Sequence, residues 1–499
     1  MRTIHLLLAL VLLPVALRAQ QAAAAAAPAP IRLSMDDAVR RALASGDEVR
    51  LAEAAVRQAR GQITQAWASA LPEVRGSLTY QRTFASVFSG SSMTQDTSHR
   101  FDPDTTLPVG DRVRYLERGL VDGSAAMTGL GKLFGSLPFG RQNTYAYAIT
   151  VSQTLFQGGK VGAGIRGAHA FERAAQAGLD DAREDLAYRV KTAYLNALFA
   201  ERMLEISEAS QAQTNEHLRR VRLNHQVGST ADYDLLRAEV ESANQEPLVI
   251  GARNGYENSL LELRRLVNLP VDQPIELTAA VLTGADSLPE VDSVALRAEI
   301  PDRSTLAAAE ANVDFRRQAI RVFRGDAYPV LRFTMNYGGQ AFPSGGLPAG
   351  SDFRRDWNAA VSLSMPLFDG FRNRGIVEQA RAELMRAESQ LSQTREGVTI
   401  QVAQARSEME RARSLVSARR QTVTQATRAH QLAAVRYANQ IASAIEVSDA
   451  RLALQQARVN EAQSTRDYLL ALAGLERALG RPAPLVRPGQ RVAATGTAQ

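Results

Sequence analysis

The sequence predicts a mixed α and β membrane protein, built as an internal tandem duplication with four strands and two very long helices in each chain. Three observations predict this fold class. Motifs of the first half recur in the second, four segments alternate apolar and polar residues, and two long stretches lack proline. Periods of two and of about 3.6 residues in one chain indicate both strands and helices.

The duplication consists of three motif pairs that occur in the same order in both halves, and this order predicts two copies of one structural unit. The pairs are "LPEVRGSLTY" from Leu71 with "YPVLRFTMNY" from Tyr328, "VSQTLFQGGK" from Val151 with "VSLSMPLFDGFRNRG" from Val361, and "VRLNHQVGSTADYDLLRAEV" from Val221 with "VRYANQIASAIEVSDARLAL" from Val435.

The start of the chain predicts export. A positive charge, a short apolar run and the small Ala19 predict a signal peptide over residues 1–19, and residues 20–32 form a low-complexity tether. Without cysteine, the exported chain has no disulfide and no lipidated N-terminal cysteine, so packing or assembly must stabilise it. The net charge of +6 is dispersed among acidic residues, which argues against a nucleic-acid partner.

The predicted elements follow one order in both halves. The first structural repeat, 33–270, has a helix, strands at about 74–85 and 145–156, a long helix at 160–226 and a helix at 231–268. An equatorial connector is expected at 271–300. The second repeat, 301–480, has strands at about 330–340 and 355–367, a long helix at 371–440 and a helix at 445–479, before a C-terminal tail at 481–499.

The strand segments are typical of transmembrane β-strands. Val74, Leu78 and Tyr80 alternate with polar residues over about ten positions, although a half-buried soluble sheet would show the same pattern. Four strands cannot close a barrel, and lipid does not tolerate an open edge, so a membrane sheet of this kind must oligomerise. The loops at 85–143 and 338–356 are expected at the cell surface.

The helices are too long for one compact domain, since each proline-free stretch would be about 100 Å long. Leu186, Val190 and Ala193 keep a four-three spacing that favours coiled-coil packing. Pro247 is expected to kink the helix at 231–268. Helix breaks at Gly228 and near Ala442 lie one long helix away from the strands, and we predict turns there.

Gly162, Gly164 and Gly167 have the spacing of a dinucleotide-binding loop. The acidic residues about 20 positions on lie inside a helical pattern rather than at a strand end, so nucleotide binding is not expected. Glycine and proline instead predict the strand–helix junctions. The junction residues are Pro72, Gly158, Gly159, Pro329, Pro366 and Gly370.

With these features together, the chain resembles the TolC-like outer-membrane efflux proteins, the outer membrane factors of tripartite efflux and type I secretion systems. The resemblance runs from Leu33 to Gly480 and is carried by "LSMDDAVRRALASGDEVRLAEAAVRQAR", "LPEV", "LFQGG" with "LFDGF", "VGSTADYDLLRAE" and "LLALAGLERALG". It implies a homotrimer with a 12-stranded transmembrane β-barrel, four strands per chain, continued by an α-helical coiled-coil tunnel in the periplasm. It also implies outer-membrane lipid, a periplasmic adaptor and an inner-membrane pump as partners.

The resemblance implies roles for residues near both turns. Adaptor contact is expected at the helix tips, which are Gly228, Ser229, Thr230, Ile441, Ala442 and Ser443. Glu446 and Asp449 match acidic rings that select against anions, and the alternative is that they are ordinary acids in a first helical turn. Asp234 and Tyr437 match a pair that holds the mouth shut.

Two other function classes remain open from the sequence. A periplasmic coiled-coil adaptor or scaffold without a pore would also have long helices, but not four symmetrically placed strands. An enzyme is a more distant alternative, because His217 and His225 lack the spacing of a zinc-binding helix. No catalytic, cofactor-binding or metal-binding residue is therefore predicted.

Overall fold

A computed structural model of the chain describes residues 29–84, 104–118, 142–278, 289, 291, 303–343, 345–439 and 441–482. The predicted signal peptide lies outside the described residues. Most of the tether, most of the loop 85–143, most of the connector 271–300 and the tail after 482 also lie outside them.

The elements below are numbered in chain order. They are β1 (Ile31–Leu33), α1 (Met35–Ser45), α2 (Asp47–Ala68), β2 (Glu73–Arg82), β3 (Asn143–Gln157), α3 (Lys160–Gln226), α4 (Asp232–Leu266), β4 (Ile275–Leu277), α5 (Ser304–Gly325), β5 (Val330–Ala341), β6 (Arg354–Ser364), α6 (Arg372–Ala438) and α7 (Ala444–Leu479).

The chain divides into two compact units, and each draws on both repeats. The helical unit comprises Met1–Gln62, Arg166–Arg317 and Arg381–Gln499, and the sheet unit comprises Ile63–Ile165 and Gln318–Ala380. The duplicated halves are therefore not the compact units.

The sheet unit holds four antiparallel strands in the order β2-β3-β5-β6. The hairpin of each half thus joins the other through β3 and β5, with an irregularity in register between Thr154 and Phe156. Strand β2 ends at Arg82 rather than at 85, because its partner strand begins at Asn143. Strand β6 ends at Ser364 rather than at 367, since Pro366 has no N–H for the ladder.

The helical unit has a core of leucine, valine, alanine and tyrosine side chains from α1, α2, α3, α4, α6 and α7. Tyr194 lies at its centre with no exposed surface, and its hydroxyl donates to the Leu33 carbonyl at 3.0 Å. β1 and β4 form a short parallel pair beside this core. Gly46 separates α1 from α2, where a Cβ atom would lie 2.6 Å from the Ala42 carbonyl oxygen and 2.8 Å from Leu186 Cδ2.

The two long helices, α3 and α6, contain 67 residues each. Pro247 lies inside α4 without ending it. In the part of the chain that the structure describes, no helix is both long and apolar enough to cross a membrane.

Candidate functional site

One face of the four-stranded sheet carries apolar and aromatic side chains at paired positions. Its members are Val74, Leu78, Tyr80, Tyr145, Tyr147, Ile149, Val151, Phe333, Met335, Tyr337, Trp357, Val361 and Leu363. On the edge strands β2 and β6 every residue is exposed, with Leu78 at 82% and Trp357 at 74%. An apolar face of this extent on a single chain indicates contact with lipid or with another protein.

Aromatic side chains gather toward both ends of this sheet. Tyr80 and Tyr145 stack 4.7 Å apart at the end away from the helices. At the helix end, Phe368 and Phe371 contact edge to face at 5.7 Å. Aromatic groups at both ends of an apolar band are typical of strands that cross a bilayer, since aromatic side chains favour both membrane–water interfaces.

The opposite face of the sheet is polar and carries side-chain hydrogen bonds between neighbouring strands. Thr150 Oγ1 donates to Asn336 Oδ1 at 2.8 Å, and Asn336 Nδ2 donates to Asn358 Oδ1 at 3.1 Å. Near one edge, Arg75 forms a 2.7 Å ion pair with Glu73. This face is suited to water, whereas the other face is suited to hydrocarbon.

The first strand–helix junction turns at two glycines in the left-handed region, Gly158 with φ 54° and Gly159 with φ 74°. A Cβ at Gly158 would lie 2.6 Å from Tyr328 Cβ and 2.8 Å from the Gly325 carbonyl oxygen. Gly162, Gly164 and Gly167 lie inside α3, which begins at Lys160, so this spacing forms no loop before a helix.

The second junction uses other means. Gly370 has φ 67°, Phe371 follows with φ 63°, and Asp369 Oδ2 accepts from the Asn373 backbone N–H at 2.8 Å. Pro366 lies between the end of β6 and this turn. Pro72 and Pro329 each lie directly before a strand, β2 and β5, at the two crossings from helix to strand.

The tips are the two helix–helix turns, described by residues 227–231 and by residues 439 and 441–443. At the first tip Gly228 has φ 76°, and Ser229 Oγ donates to the Asn224 carbonyl at 2.9 Å. His225 Nε2 and Asp232 Oδ1 lie 2.6 Å apart across the turn. Thr230 is half-buried. The hydrogen bonds of this turn are therefore local.

The second tip is exposed and capped. Ile441 is 69% exposed, and its N–H donates to the Arg436 carbonyl at 2.9 Å. Ala442 is half-buried, while Ser443 is exposed and its Oγ accepts from the Glu446 N–H at 3.3 Å as the N-cap of α7. Such a cap satisfies one of the first free N–H groups of the helix.

The predicted gate residues have different surroundings. Glu446 accepts from Arg436 Nη1 at 2.7 Å, so its charge is balanced within its own hairpin. Asp449 is exposed on the next turn of α7. Asp234 and Tyr437 are half-buried, and no hydrogen bond joins them among the residues that the structure describes.

A buried polar layer joins α3, α4 and α7, and no sequence motif predicted it. We define this layer as Ser210, Thr214, Glu241, Gln245, Ser448, Arg451 and Gln455. Arg451, 7% exposed, is one turn before the buried Leu454. The one sequence signal for this layer was that Arg451, a cation, interrupts the apolar seam of α7.

In the helical unit, burial and the nearby Glu201 carboxylate raise the pKa of the Tyr256 hydroxyl to about 12. Burial also raises the pKa of Glu201, which accepts from the Tyr256 hydroxyl at 3.3 Å. Among the described residues, no cluster of three His, Cys, Asp or Glu side chains is placed to hold a metal ion.

Comparison with known proteins gives matches to one family. The family model described as "Outer membrane efflux protein" matches residues 123–269 and 297–481. The outer membrane protein TolC of Vibrio cholerae is 22% identical over 300 residues, 60% of this chain and 68% of TolC. Protein CyaE of Bordetella pertussis is 26% identical over 261 residues, 51% of this chain and 54% of CyaE, so the chain spans about half of that relative.

The fold matches a solved structure over nearly the whole chain. The outer membrane protein VceC from Vibrio cholerae aligns with a TM-score of 0.67 and 18% identity, covering 90% of this chain and 96% of VceC. The resemblance found from the sequence motifs is confirmed by these matches.

Proposed function

Because the chain belongs to the outer membrane efflux protein family, we propose that it is the exit duct of a tripartite efflux or type I secretion system. The family consists of channel proteins, and membership locates the chain in the outer membrane with a periplasmic tunnel. In this proposal the duct is passive, an inner-membrane pump supplies energy, and a periplasmic adaptor joins the two.

One observation carries the proposal: among the described residues, the sheet has an apolar face, a polar face and two edge strands, β2 and β6, each paired on one side only. The exposed backbone groups of β2 and β6 need partners in lipid, where water is absent. Three copies joined edge to edge give a closed barrel of 12 strands. The apolar face then contacts lipid, and the polar row of Thr150, Asn336 and Asn358 lines the lumen.

The tips are the proposed adaptor contacts. Ser229, Ile441 and Ser443 are exposed, and Gly228 turns the chain without a side chain in the way. Thr230 and Ala442 complete this surface. Exposed apolar groups such as Ile441 beside polar turn residues suit a protein partner.

The proposed gate combines the acids and the latch. Asp449 contributes an uncompensated carboxylate from each copy, while the Arg436 pair reduces the contribution of Glu446 to a cation-selective field. Asp234 and Tyr437 are free to join neighbouring helices in the trimer. Asp234→Ala or Tyr437→Phe is expected to raise conductance in planar bilayers, and unchanged conductance would contradict the latch.

The barrel proposal is tested by adjacent substitutions on β6. Val361 lies on the apolar face and Ser362 on the polar face, and both are exposed in the single chain. Val361→Lys should abolish assembly in the outer membrane, because a lysine on a lipid-facing strand costs about 2–4 kcal/mol at mid-bilayer. The matched control, Ser362→Lys, should assemble and conduct.

Carbonate extraction of cell membranes and planar-bilayer recording provide the readouts. The wild-type protein should stay with the membrane and form trimeric channels. Release by carbonate as a soluble protein would contradict the channel and favour the periplasmic scaffold. Equal tolerance of both lysines would contradict the assignment of the lipid-facing surface.

A further inference from the structure

The polar layer contains a charge that has been taken almost entirely out of water. Arg451 on α7 donates from Nη1 to Thr214 Oγ1 on α3 at 2.8 Å, and its Nη2 forms an ion pair with Glu241 on α4. The Arg451 side chain therefore contacts both α3 and α4, the two helices of the first helical hairpin.

Each partner of Arg451 is positioned by a further contact. Thr214 Oγ1 donates its own proton to the Ser210 carbonyl at 2.9 Å, which leaves its lone pairs for Arg451. Ser448 Oγ, one turn before Arg451, donates to Glu241 Oε1 at 2.9 Å. The hydroxyl groups thus fix the orientation of both charged groups.

The layer marks a change in packing along α7. Of the side chains that the structure describes in this helix, Arg451 is the first buried one counted from the tip. Between the layer and the first tip, the buried cluster of Leu218, Val221 and Ala238 comes from α3 and α4 alone. On the tip side of Arg451, α7 contacts α4 through the hydrogen bond from Ser448 to Glu241 and contacts α6 through the half-exposed pair of Glu446 and Arg436.

Further along α3, the neighbour of the layer is His217. Burial, then the charges of Arg451 and Arg220, lower its pKa. A neutral imidazole adds no repulsion to Arg451, so the ion pair with Glu241 is the dominant charge interaction of the layer.

We infer that Arg451, Glu241 and Thr214 form an internal clamp, which fastens the helical hairpin α6–α7 to the helical hairpin α3–α4 within one chain. Between the clamp and the tips, the two hairpins are then able to separate. The clamp rests on the proposed channel function, to which it adds that separation of the tips opens the mouth. Arg451 is a positioning residue: it holds α7 against the first hairpin and contacts no transported substrate. A buried ion pair has strict geometric requirements, so it specifies one arrangement of the helices more sharply than apolar packing would.

The absence of cysteine makes the clamp directly measurable. Val227→Cys and Ile441→Cys place one spin label on each tip, at exposed positions, in the full-length protein. When labelled chains are diluted among unlabelled ones, double electron–electron resonance spectroscopy measures the distance between the two tips of one chain. Arg451→Met should lengthen and broaden this distance distribution and raise resting conductance several-fold.

Three further variants distinguish a clamp from general damage. Thr214→Val removes the hydrogen bond from Arg451 and the hydrogen bond to the Ser210 carbonyl, with little change in shape, and should broaden the distribution less than Arg451→Met. Arg222→Gln removes an exposed 2.9 Å pair with Glu239, between α3 and α4, and should leave the distribution unchanged. Arg451→Met with Glu241→Gln leaves no unpaired buried charge, so its thermal midpoint should recover while the tips stay apart.

The clamp is refuted by an unchanged distribution in both Arg451→Met and Thr214→Val. It is also refuted if the tip distance in the double variant returns to normal together with the thermal midpoint, because tip separation would then reflect misfolding. Absence of wild-type conductance would contradict the proposed function instead, since the distance within one chain is measured without a channel assay.

Discussion

Replacement of Gly158 by alanine should destabilise the first strand–helix junction far more than the same change at Gly159. Both glycines have positive φ, which costs an alanine about 1–2 kcal/mol. At Gly158 the new methyl group would also lie 2.6 Å from Tyr328 Cβ and 2.8 Å from the Gly325 carbonyl oxygen. Neither atom can move by a side-chain rotation, so overpacking adds about 1–3 kcal/mol.

The expected loss is therefore about 2–5 kcal/mol for Gly158→Ala and about 1–2 kcal/mol for Gly159→Ala, where no atom lies within 4 Å of the new Cβ. Thermal unfolding followed by circular dichroism in detergent should rank wild type above Gly159→Ala and Gly159→Ala above Gly158→Ala. Equal midpoints for the two variants would refute the close approach at Tyr328. Assembly into the proposed trimer should follow the same order.

Two other predictions concern the helical unit. Burial raises the pKa of Glu201, so the stability contributed by this carboxyl is complete below its ordinary pKa of 4.5 and is lost as the pH rises through the raised value. Glu201→Gln should then raise the thermal midpoint at neutral pH but not below pH 4.5, and a gain of equal size at both would contradict the effect of burial. Tyr194→Phe removes the 3.0 Å hydrogen bond to the Leu33 carbonyl, which keeps the Thr278 N–H at 3.2 Å, and should cost about 0.5–1.5 kcal/mol in unfolding measurements; an unchanged midpoint would contradict a stabilising role for this hydroxyl.

Local features of the fold were predictable from the sequence because they depend on neighbouring residues. The long helices follow from uninterrupted stretches without proline, and α3 begins at Lys160 directly after Gly158 and Gly159. The faces of the strands follow from alternation, as the pairing of Leu78 with Tyr147 illustrates. Gly162, Gly164 and Gly167 lie within the long helix, as the continuous helical pattern around them predicts.

The candidate site was less predictable where its properties depend on distant parts of the chain. Glu446 and Asp449 share one helix face, yet Arg436 balances the first of these charges and not the second. Gly46, between α1 and α2, leaves no room for a side chain, in part because Leu186 approaches from α3. Neither contact has a signature in the surrounding residues.

The sequence by itself determined the duplication, the lengths of the helices and the two-faced character of each strand, because periodicity and chain-breaking residues act over a few positions. Only the tertiary structure decided that β3 pairs with β5, that Arg436 neutralises Glu446 and that Arg451 lies between Thr214 and Glu241. These pairings depend on which surfaces pack together. The partners of a buried charge are recognisable only when the packing of the helices around it is known.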